Sequence, residues 1–561
     1  MTLPTQPHST FDIHAKVADA AITKVSRLFN ASLDDITNEL LQNARRAGAT
    51  QVAFDQYTDP EMGDVIPIVD NGPGITSPNT LFSLGESGWD DDTCASEDAA
   101  GMGFFSLAGR TVKIIAQQAG TDASYILDAA PDAFCGKEPI IGRRGPDGIT
   151  GVTILIAAKT HENIVPIATK AAKYCSIDVS VASTQIARED FLAGALHIET
   201  WKGIRIGVWQ DTHRRVFHEP DVNFHGLTLR AQLPTLSQEY HAGFTCRIDV
   251  ESCADLKLVL PARKEIVQDT FYDALKTKIS KIYFEMVQKA GAHSLSFENH
   301  QRARALGITL LEAVNHLRPF SPAHADTDSN AWNQPEPVHA DALICAGGDE
   351  AVDDQNLAWA LEHAEGAIPL YDPKSVFKGY AWYDALNTVE IIGYVRVCEG
   401  RRHVSEVGET PDILQRPAQL FIIGLVQGGA DAIPWQLETD LILFAQEGDW
   451  VDNTILCLTA TCTITVPDLV DFMTRALFCP SDDNEAGSYD SQLQWFTDQA
   501  EDEAIAYLQT LDDVHRNQVE RVLRRELYWI IKPSSAITIG INGTDVSING
   551  LASAFKKPVA A

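Results

Sequence analysis

Glu39 and Asn43 stand four residues apart in the stretch Glu39-Leu-Leu-Gln-Asn43-Ala44. On a helix, residues at i and i+4 project from one face. A carboxylate one turn from an amide oxygen suits nucleotide hydrolysis. The amide oxygen can ligate a hard cation such as magnesium, and the carboxylate can orient or deprotonate water, at about 10²–10⁴-fold in rate. Alone, the same spacing also describes a solvated pair on any helix. Further on, Val69-Asp70-Asn71-Gly72-Pro73-Gly74-Ile75 sets a carboxylate before two glycines. An acceptor-only carboxylate fits the exocyclic amino group of adenine, a charged hydrogen bond worth roughly 1.5–3 kcal/mol. The run D-N-G-P-G equally forms a tight turn for local reasons. A third cluster, Ala100-Gly101-Met102-Gly103-Phe104-Phe105-Ser106, follows Gly85-Glu86-Ser87-Gly88. Its glycines let backbone N–H groups come close to a polyphosphate, and a helix starting near Phe104 adds its positive end. A lone G-x-G otherwise marks a turn. The polar stretch from Ser87 to Ala100 reads as a lid or a loop.

Positioning these groups needs helices and strands in a definite order. Residues from about Val17 to Gly48 alternate at helical spacing, broken at Asn30-Ala31-Ser32. Ser32 with Asp35 is a helix-start signal, and the helix from about Leu33 to Ala47 stops at Gly48. Ile36, Leu40 and Ala47 form the stripe that packs it on a sheet. Strands are expected at Val52–Phe54, Val65–Val69, Val112–Gln117, Ser124–Asp128 and Val152–Ala157. Helices and strands mix without regular alternation, which predicts an α/β (α+β) sandwich with helices on one face of a mixed sheet. Beyond about 165 the pattern changes. Strand-like runs recur at Ile204–Val208, Leu227–Ala231, Cys246–Val250 and Leu256–Leu260. Helical stretches follow at about Val267–Lys289 and Phe297–Leu317. Residues 318–338 read as a linker. The rest, 339–561, mixes strands such as Leu420–Val426 and Thr454–Val466 with an acidic helical region, 484–530. It ends in a hairpin, Ile537–Ile548, with Asn542-Gly543 at its turn. The expected division is therefore 1–165, 166–317, a linker, and an acidic α+β region.

Taken in order, E-x-x-x-N, D-x-G-x-G and G-x-G-F-F-S resemble the ATP site of the GHKL family: gyrase, heat-shock chaperones, histidine kinases and MutL. The resemblance covers about 165 residues and implies a Bergerat-type fold binding ATP with Mg2+. It implies Glu39 as general base, Asn43 as magnesium ligand and Asp70 as the adenine-binding carboxylate. Gly72 and Gly74 then shape the base pocket, while Gly101, Gly103 and Phe104 lie in the phosphate loop. The wording Gly101 to Ser106 looks especially like the ninety-kilodalton heat-shock chaperones. Two departures stand out. Many members carry Asp three residues after the Asn, where this chain has Arg46. Many open the last strand with Gly-Thr, where Gly151-Val152-Thr153 either replaces the Thr or displaces it to Thr153. A second, weaker resemblance lies in Leu260-Pro261-Ala262-Arg263-Lys264-Glu265. It looks like the segment of MutL and the chaperones that sends a cation to the γ-phosphate, and Arg263 and Lys264 are both candidates.

Composition narrows the partners. The formal net charge of −33 repels phosphate backbones, so nucleic acid is disfavoured as the main ligand. Arg45-Arg46, Arg143-Arg144, Arg214-Arg215, Arg401-Arg402 and Arg524-Arg525 are scattered and read as solvated faces. The ten cysteines show no C-x-x-C pair, and Cys457 and Cys462 read as buried free thiols. No secretory signal and no apolar run of about 20 residues is evident, so a soluble, cytoplasmic setting without membrane is expected. The leading expectation is an ATPase whose turnover serves a conformational cycle on a protein client, with transient pairing of two copies. The alternative is an ATP-sensing interaction module with little hydrolysis. DNA repair or topology is disfavoured by charge. A histidine kinase is disfavoured because only about 30 residues precede the second helix, with His14 the sole acceptor candidate there.

Overall fold

The computed structural model describes residues 32–82, 103–135, 137–211, 220–259, 263–325, 334–348, 350–411, 416–428, 431–445, 454–481, 487–508, 519, 538–542 and 545–549. The expected first helix from Val17, His14, the Gly85–Gly88 cluster, Ser87–Ala100, Gly101 and Leu260–Ala262 lie outside them. The chain divides into two units, Met1–Glu312 and Ala313–Ala561. Among the described residues no helix is long and apolar enough to cross a membrane.

The first unit opens with helix α1, Leu33–Arg46. Ser32 caps it, its Oγ accepting from the Asp35 amide at 3.1 Å, a contact worth about 1 kcal/mol. Asp34 and Asp35 in the first turn and Arg45 and Arg46 in the last suit the helix dipole. Gly48, at φ 81, ends the helix as its position in the sequence predicts. Leu33, Ile36, Leu40, Leu41 and Ala44 recur at three- and four-residue spacing and bury one face.

That face meets a nine-stranded mixed sheet. Its strands are β1 (Gln51–Phe54), β2 (Tyr57–Asp59), β3 (Gly63–Asp70), β4 (Val112–Gln117), β5 (Ser124–Ala129), β6 (Ile141–Arg144), β7 (Val152–Ala157), β8 (Asp178–Val181) and β9 (Thr184–Gln185). The order is β6-β5-β4-β7-β3-β1-β8-β9, with β2 beside β3. Only β1 and β8 run parallel; the other pairs are antiparallel. Alternate residues Val52, Phe54, Ile66, Ile68, Ile114, Ala116, Ile154 and Ile156 form one buried core with α1 and with α2, Ile164–Ala172. The mixed α/β architecture expected from the sequence is present. The first sheet, however, continues past residue 165 to Gln185, because β8 adds in parallel to the edge strand β1.

A second, five-stranded sheet follows in this unit: β10 (His197–Trp201), β11 (Ile204–Asp211), β12 (Val222–Phe224), β13 (Leu227–Leu229) and β14 (Gly243–Val250), in the order β10-β11-β14-β12-β13. Helix α3, Thr270–Ala290, buries Tyr272, Leu275, Ile279, Ile282, Tyr283 and Val287 in one core with it. Helix α4 spans only Phe297–Ala305, ending well before the expected Leu317. The expected strand Leu256–Leu260 makes a single bridge, Leu258 to Ile266, at the base of a loop.

The second unit holds a six-stranded sheet, with β15 (Asn387–Cys398) and β16 (Gln419–Gln427) at its centre. Helix α5 (Ala351–His363) packs against α6 (Val466–Leu477), and α6 against α7 (Tyr489–Leu508). The expected strand Thr454–Val466 is shorter, Ile455–Leu458, because Thr465 caps α6. Cys457 is buried and Cys462 half-buried, both as free thiols.

In the first unit, buried Arg110 grips Glu162 through both guanidinium ends, at 2.7 and 2.6 Å. The Arg110 hydrogen bond holds the Glu162 carboxyl below the usual glutamate range despite partial burial. A depressed acid contributes stability above its unfolded value, near 4.5. That contribution disappears as pH falls through the depressed folded value. Glu162→Gln is therefore expected to cost about 1.5–3 kcal/mol at neutral pH. In thermal melts across the acid range, its difference from wild type should shrink as pH falls below about 4.

Candidate functional site

Helix α1 carries the site along one side. Glu39, Asn43 and Arg46 lie at i, i+4 and i+7, so all three share a face beside the buried stripe. The helix packs against a 3₁₀ turn, Gly103–Leu107. Phe105 and Leu107 anchor that turn in the core, and the Phe104 ring meets Phe82 edge-on at 5.5 Å. The Phe104 ring also packs near Phe134, at 6.1 Å. Within the turn, Ser106 is 3% exposed, and its Oγ has no hydrogen-bond partner among the described residues. Such an unsatisfied hydroxyl costs about 1–3 kcal/mol.

At the other end of α1 lies the loop that follows β3. Asn71 pins it: its Oδ1 accepts from the amides of Thr50 and Gln51 at 2.8 and 2.9 Å. Gly72 lies against Ala47 and Ala49, and a Cβ there would come 2.9 Å from Asp70 Oδ1. Gly74, at φ 88, passes so close to Gln117 that a Cβ would sit 2.3 Å from its carbonyl oxygen. Gly151, at φ 70, crosses the Asp70 carbonyl equally tightly. Only glycine satisfies both the conformation and the approach. Asp70 ends β3 half-buried, its Oδ1 accepting from the Gly72 amide at 2.9 Å. Burial raises its carboxyl above the ordinary aspartate value, and the amides of Gly72 and Val152 pull it back.

Strand register settles which residue of β7 neighbours Asp70. Asp70 pairs with Val152, and Val69 with Thr153. Paired residues share a sheet face and adjacent ones alternate. Val152 is therefore on the Asp70 face, and Thr153 is on the opposite one. The expectation that Thr153 belongs to the site is corrected: an apolar side chain takes that place.

The second sheet reaches α1 at three points. In the turn of the β12–β13 hairpin, the His225 carbonyl accepts from Gln42 Nε2 at 2.8 Å. The loop closed by Leu258 and Ile266 brings Arg263 to Glu39, its Nη1 donating to both carboxylate oxygens at 3.0 and 2.9 Å. Lys264 pairs instead with Asp35, at 3.2 Å. The Arg263 side chain is 10% exposed and that of Lys264 57%. An exposed pair contributes about 0–1 kcal/mol. Of the two candidate cations, Arg263 reaches the site and Lys264 lies one turn back along α1. Arg263 also holds a left-handed backbone, φ 50, at a cost of about 1–2 kcal/mol. A side chain kept in that conformation, with its amide on the Val259 carbonyl at 2.9 Å, is held by its surroundings.

Arg46 was expected on a solvated face, and its side chain is 3% exposed. Its Nη1 donates to Asn43 Oδ1 at 3.3 Å and lies 3.7 Å from Glu39 Oε1. The sequence signal for this was available, since Arg46 stands seven residues after Glu39. These contacts test the magnesium expected on Asn43. A magnesium ion on that oxygen would have to displace the Arg46 guanidinium, which donates to it at 3.3 Å. The same amide oxygen already faces that guanidinium. The residues present do not fit a magnesium ion held by Asn43.

No protein-family model matches the chain, and no curated protein matches it in sequence. Among solved structures it is similar to the ATPase region of topoisomerase II from Saccharomyces cerevisiae, at 9% identity and TM-score 0.32, covering 45% of this chain and 86% of that one. It is similar to the B-subunit of DNA gyrase from Myxococcus xanthus, at 11% identity and TM-score 0.30, covering 45% and 88%. It is also similar to the MutL ATPase domain of Aquifex aeolicus complexed with ADP, at 12% identity and TM-score 0.24, covering 39% and 92%. At these scores the likenesses decide nothing about the site, whose reading stays with its own residues.

Because Arg263 and Glu39 are largely buried and in contact, their losses should not add. A double-mutant cycle of Glu39→Ala and Arg263→Ala, read by denaturant unfolding, is expected to give a coupling of about 1–3 kcal/mol. A coupling near zero would remove the contact from the account.

Proposed function

We propose that the first unit binds ATP and hydrolyses it, with Arg263 switching between the Glu39 carboxylate and the terminal phosphate. The observation that carries this reading is the Arg263–Glu39 contact. It sets a cation from the second sheet against the one carboxylate on α1 that sits a turn from Asn43. In this reading Asp70 accepts from the adenine amino group at the closed end of the loop. The backbone of the Gly103 turn takes phosphate oxygens, and Ser106 gains the partner it lacks. The terminal phosphate draws Arg263 away and releases Glu39. A water oxygen then attacks that phosphorus, its proton passes to Glu39, and the bond to the bridging oxygen breaks to leave ADP and phosphate.

Because the residues do not fit magnesium on Asn43, no step is routed through that ion. The finer likeness to heat-shock chaperones rests on the wording of Gly101 to Ser106, of which Gly101 and Met102 lie outside the described residues. The cycle would serve a protein client or the pairing of two copies. That nucleic acid is not the main ligand rests on the net charge of −33 alone. One observation favours a second reading, an ATP sensor with little turnover: Arg263 and Arg46 both bear on Glu39, so its carboxylate oxygens are engaged by guanidinium groups rather than directed at a water.

Phosphate release from ATP, measured beside ATP affinity, separates the two. Under the first reading Glu39→Ala lowers release by about 100-fold or more with affinity nearly kept. Tight binding without release in wild type selects the sensor. Release unchanged in Glu39→Ala removes Glu39 as the base.

A further inference from the structure

We propose that the second unit binds a phosphate group at the edge of its six-stranded sheet, on Arg396, Arg401, His403 and Ser405. This site does not depend on the ATP reading of the first unit. Strand β15 pairs along its second half with the strand Arg401–Glu406, which sets Arg396 directly opposite His403. Cys398 stands opposite Arg401, and Tyr394 opposite Ser405. Paired residues share a sheet face and alternate residues repeat it. The two arginines, the histidine and the serine are therefore on one face. Opposite and diagonal neighbours on such a face have Cβ atoms roughly 5–8 Å apart, so their long side chains can meet on one anion.

Arg396 carries the argument, because it is 8% exposed and still lacks a counter-charge. Its Nη2 donates to Ser405 Oγ at 3.3 Å, and its guanidinium lies 5.8 Å from the centre of the Phe444 ring. Its Nε is buried without a hydrogen-bond partner, and no carboxylate pairs with it among the described residues. Burial pushes the neighbouring Cys457 thiol up to about 12, and the Arg396 charge opposes that only in part. Burying a full charge is costly unless it is paired and hydrogen-bonded, and arginine does not escape by losing its proton. Acids around the hairpin are otherwise placed. Asp353 accepts from the Tyr394 hydroxyl, Glu399 has contacts of its own in the turn, and Glu406 takes the opposite sheet face. Arg401 and His403 are exposed. Like charges opposite one another across a strand pair are unfavourable, and an anion held between them reverses that once His403 is protonated. The arginine fork matches phosphate oxygens. Ser405, which accepts from Arg396, keeps its own hydroxyl proton to donate. A phosphate, with three acceptor oxygens and roughly two charges, answers this set better than a carboxylate with one.

The test is calorimetric titration of inorganic phosphate, phosphoserine and acetate into the full chain, for wild type, Arg396→Lys and Arg401→Gln, with a thermal melt of each. Wild type should bind inorganic phosphate or phosphoserine at least about tenfold more tightly than acetate. Whichever of the two binds more tightly tells whether the natural ligand is free phosphate or an ester. Arg396→Lys keeps the charge without the fork and should weaken that binding by about tenfold. Arg401→Gln, at an exposed position, should weaken it by about threefold or more with an unchanged melt. Should Arg396→Lys fail to fold, Arg401→Gln alone decides. No binding of either phosphate compound at about 10 mM overturns the proposal. Acetate bound as tightly as phosphate overturns it too. Phosphate binding that neither variant changes places the anion elsewhere in the chain and also overturns it.

Discussion

Two arginines and one glutamate meet on a single face of α1, and much of the first unit is arranged around that meeting. A carboxylate 15% exposed lies there beside guanidinium groups 10% and 3% exposed. Removing one partner of such a pair leaves an uncompensated charge, at about 3–5 kcal/mol. The elements that bring them together are tied by packing and hydrogen bonds. Helix α1 is fixed on the first sheet by its apolar stripe. The loop carrying Arg263 is tied by the Leu258–Ile266 bridge and by amide hydrogen bonds on both sides. Gln42 and Asp35 add contacts one turn to either side of Glu39. The same helix thus forms one wall of the candidate site and the seam between two sheets.

The far end of the site follows a different constraint, that of close backbone approach. Gly72, Gly74 and Gly151 surround Asp70 where β3 ends, and a Cβ at any of them meets an atom at 2.9 Å or less. With no room for side chains, the loop leaves Asp70 half-buried beside bare backbone. Burial raises its carboxyl, and two amides offset part of that. The Asp70 acceptor therefore lies past the C-terminal end of α1, with Arg46 in the last turn of that helix and the Arg263 contact about two turns back at Glu39.

Much of this was legible before any coordinates. Cap residues Ser32 and Gly48 mark α1 within a residue, because local chemistry decides helix ends. Alternating apolar runs mark β3, β4, β5 and β7 for the same reason. The grouping of Glu39 with Asn43 followed from helical spacing. What escaped was set by contacts distant in sequence. Arg263 over Lys264 depends on which side chain a loop turns inward, 224 residues from Glu39. Thr153 lies on the wrong face through strand register, which the Gly-Val-Thr order alone does not reveal. Arg46 looked like half of a solvated arginine pair because burial is a tertiary property; its partner Arg45 instead hydrogen-bonds Gln42 at 3.2 Å. The first sheet's extension to Gln185 was hidden because β8 pairs in parallel with β1 after an intervening helix.

The claim on which the account stands is that Asp70 reads an adenine. The direct measurement is calorimetric binding of ATP and of inosine triphosphate, which lacks the exocyclic amino group, to the full chain. A lost charge-assisted hydrogen bond of about 1.5–3 kcal/mol predicts inosine triphosphate weaker by roughly 10- to 150-fold. Equal affinity for the two nucleotides, or no binding of ATP at all, would contradict the account.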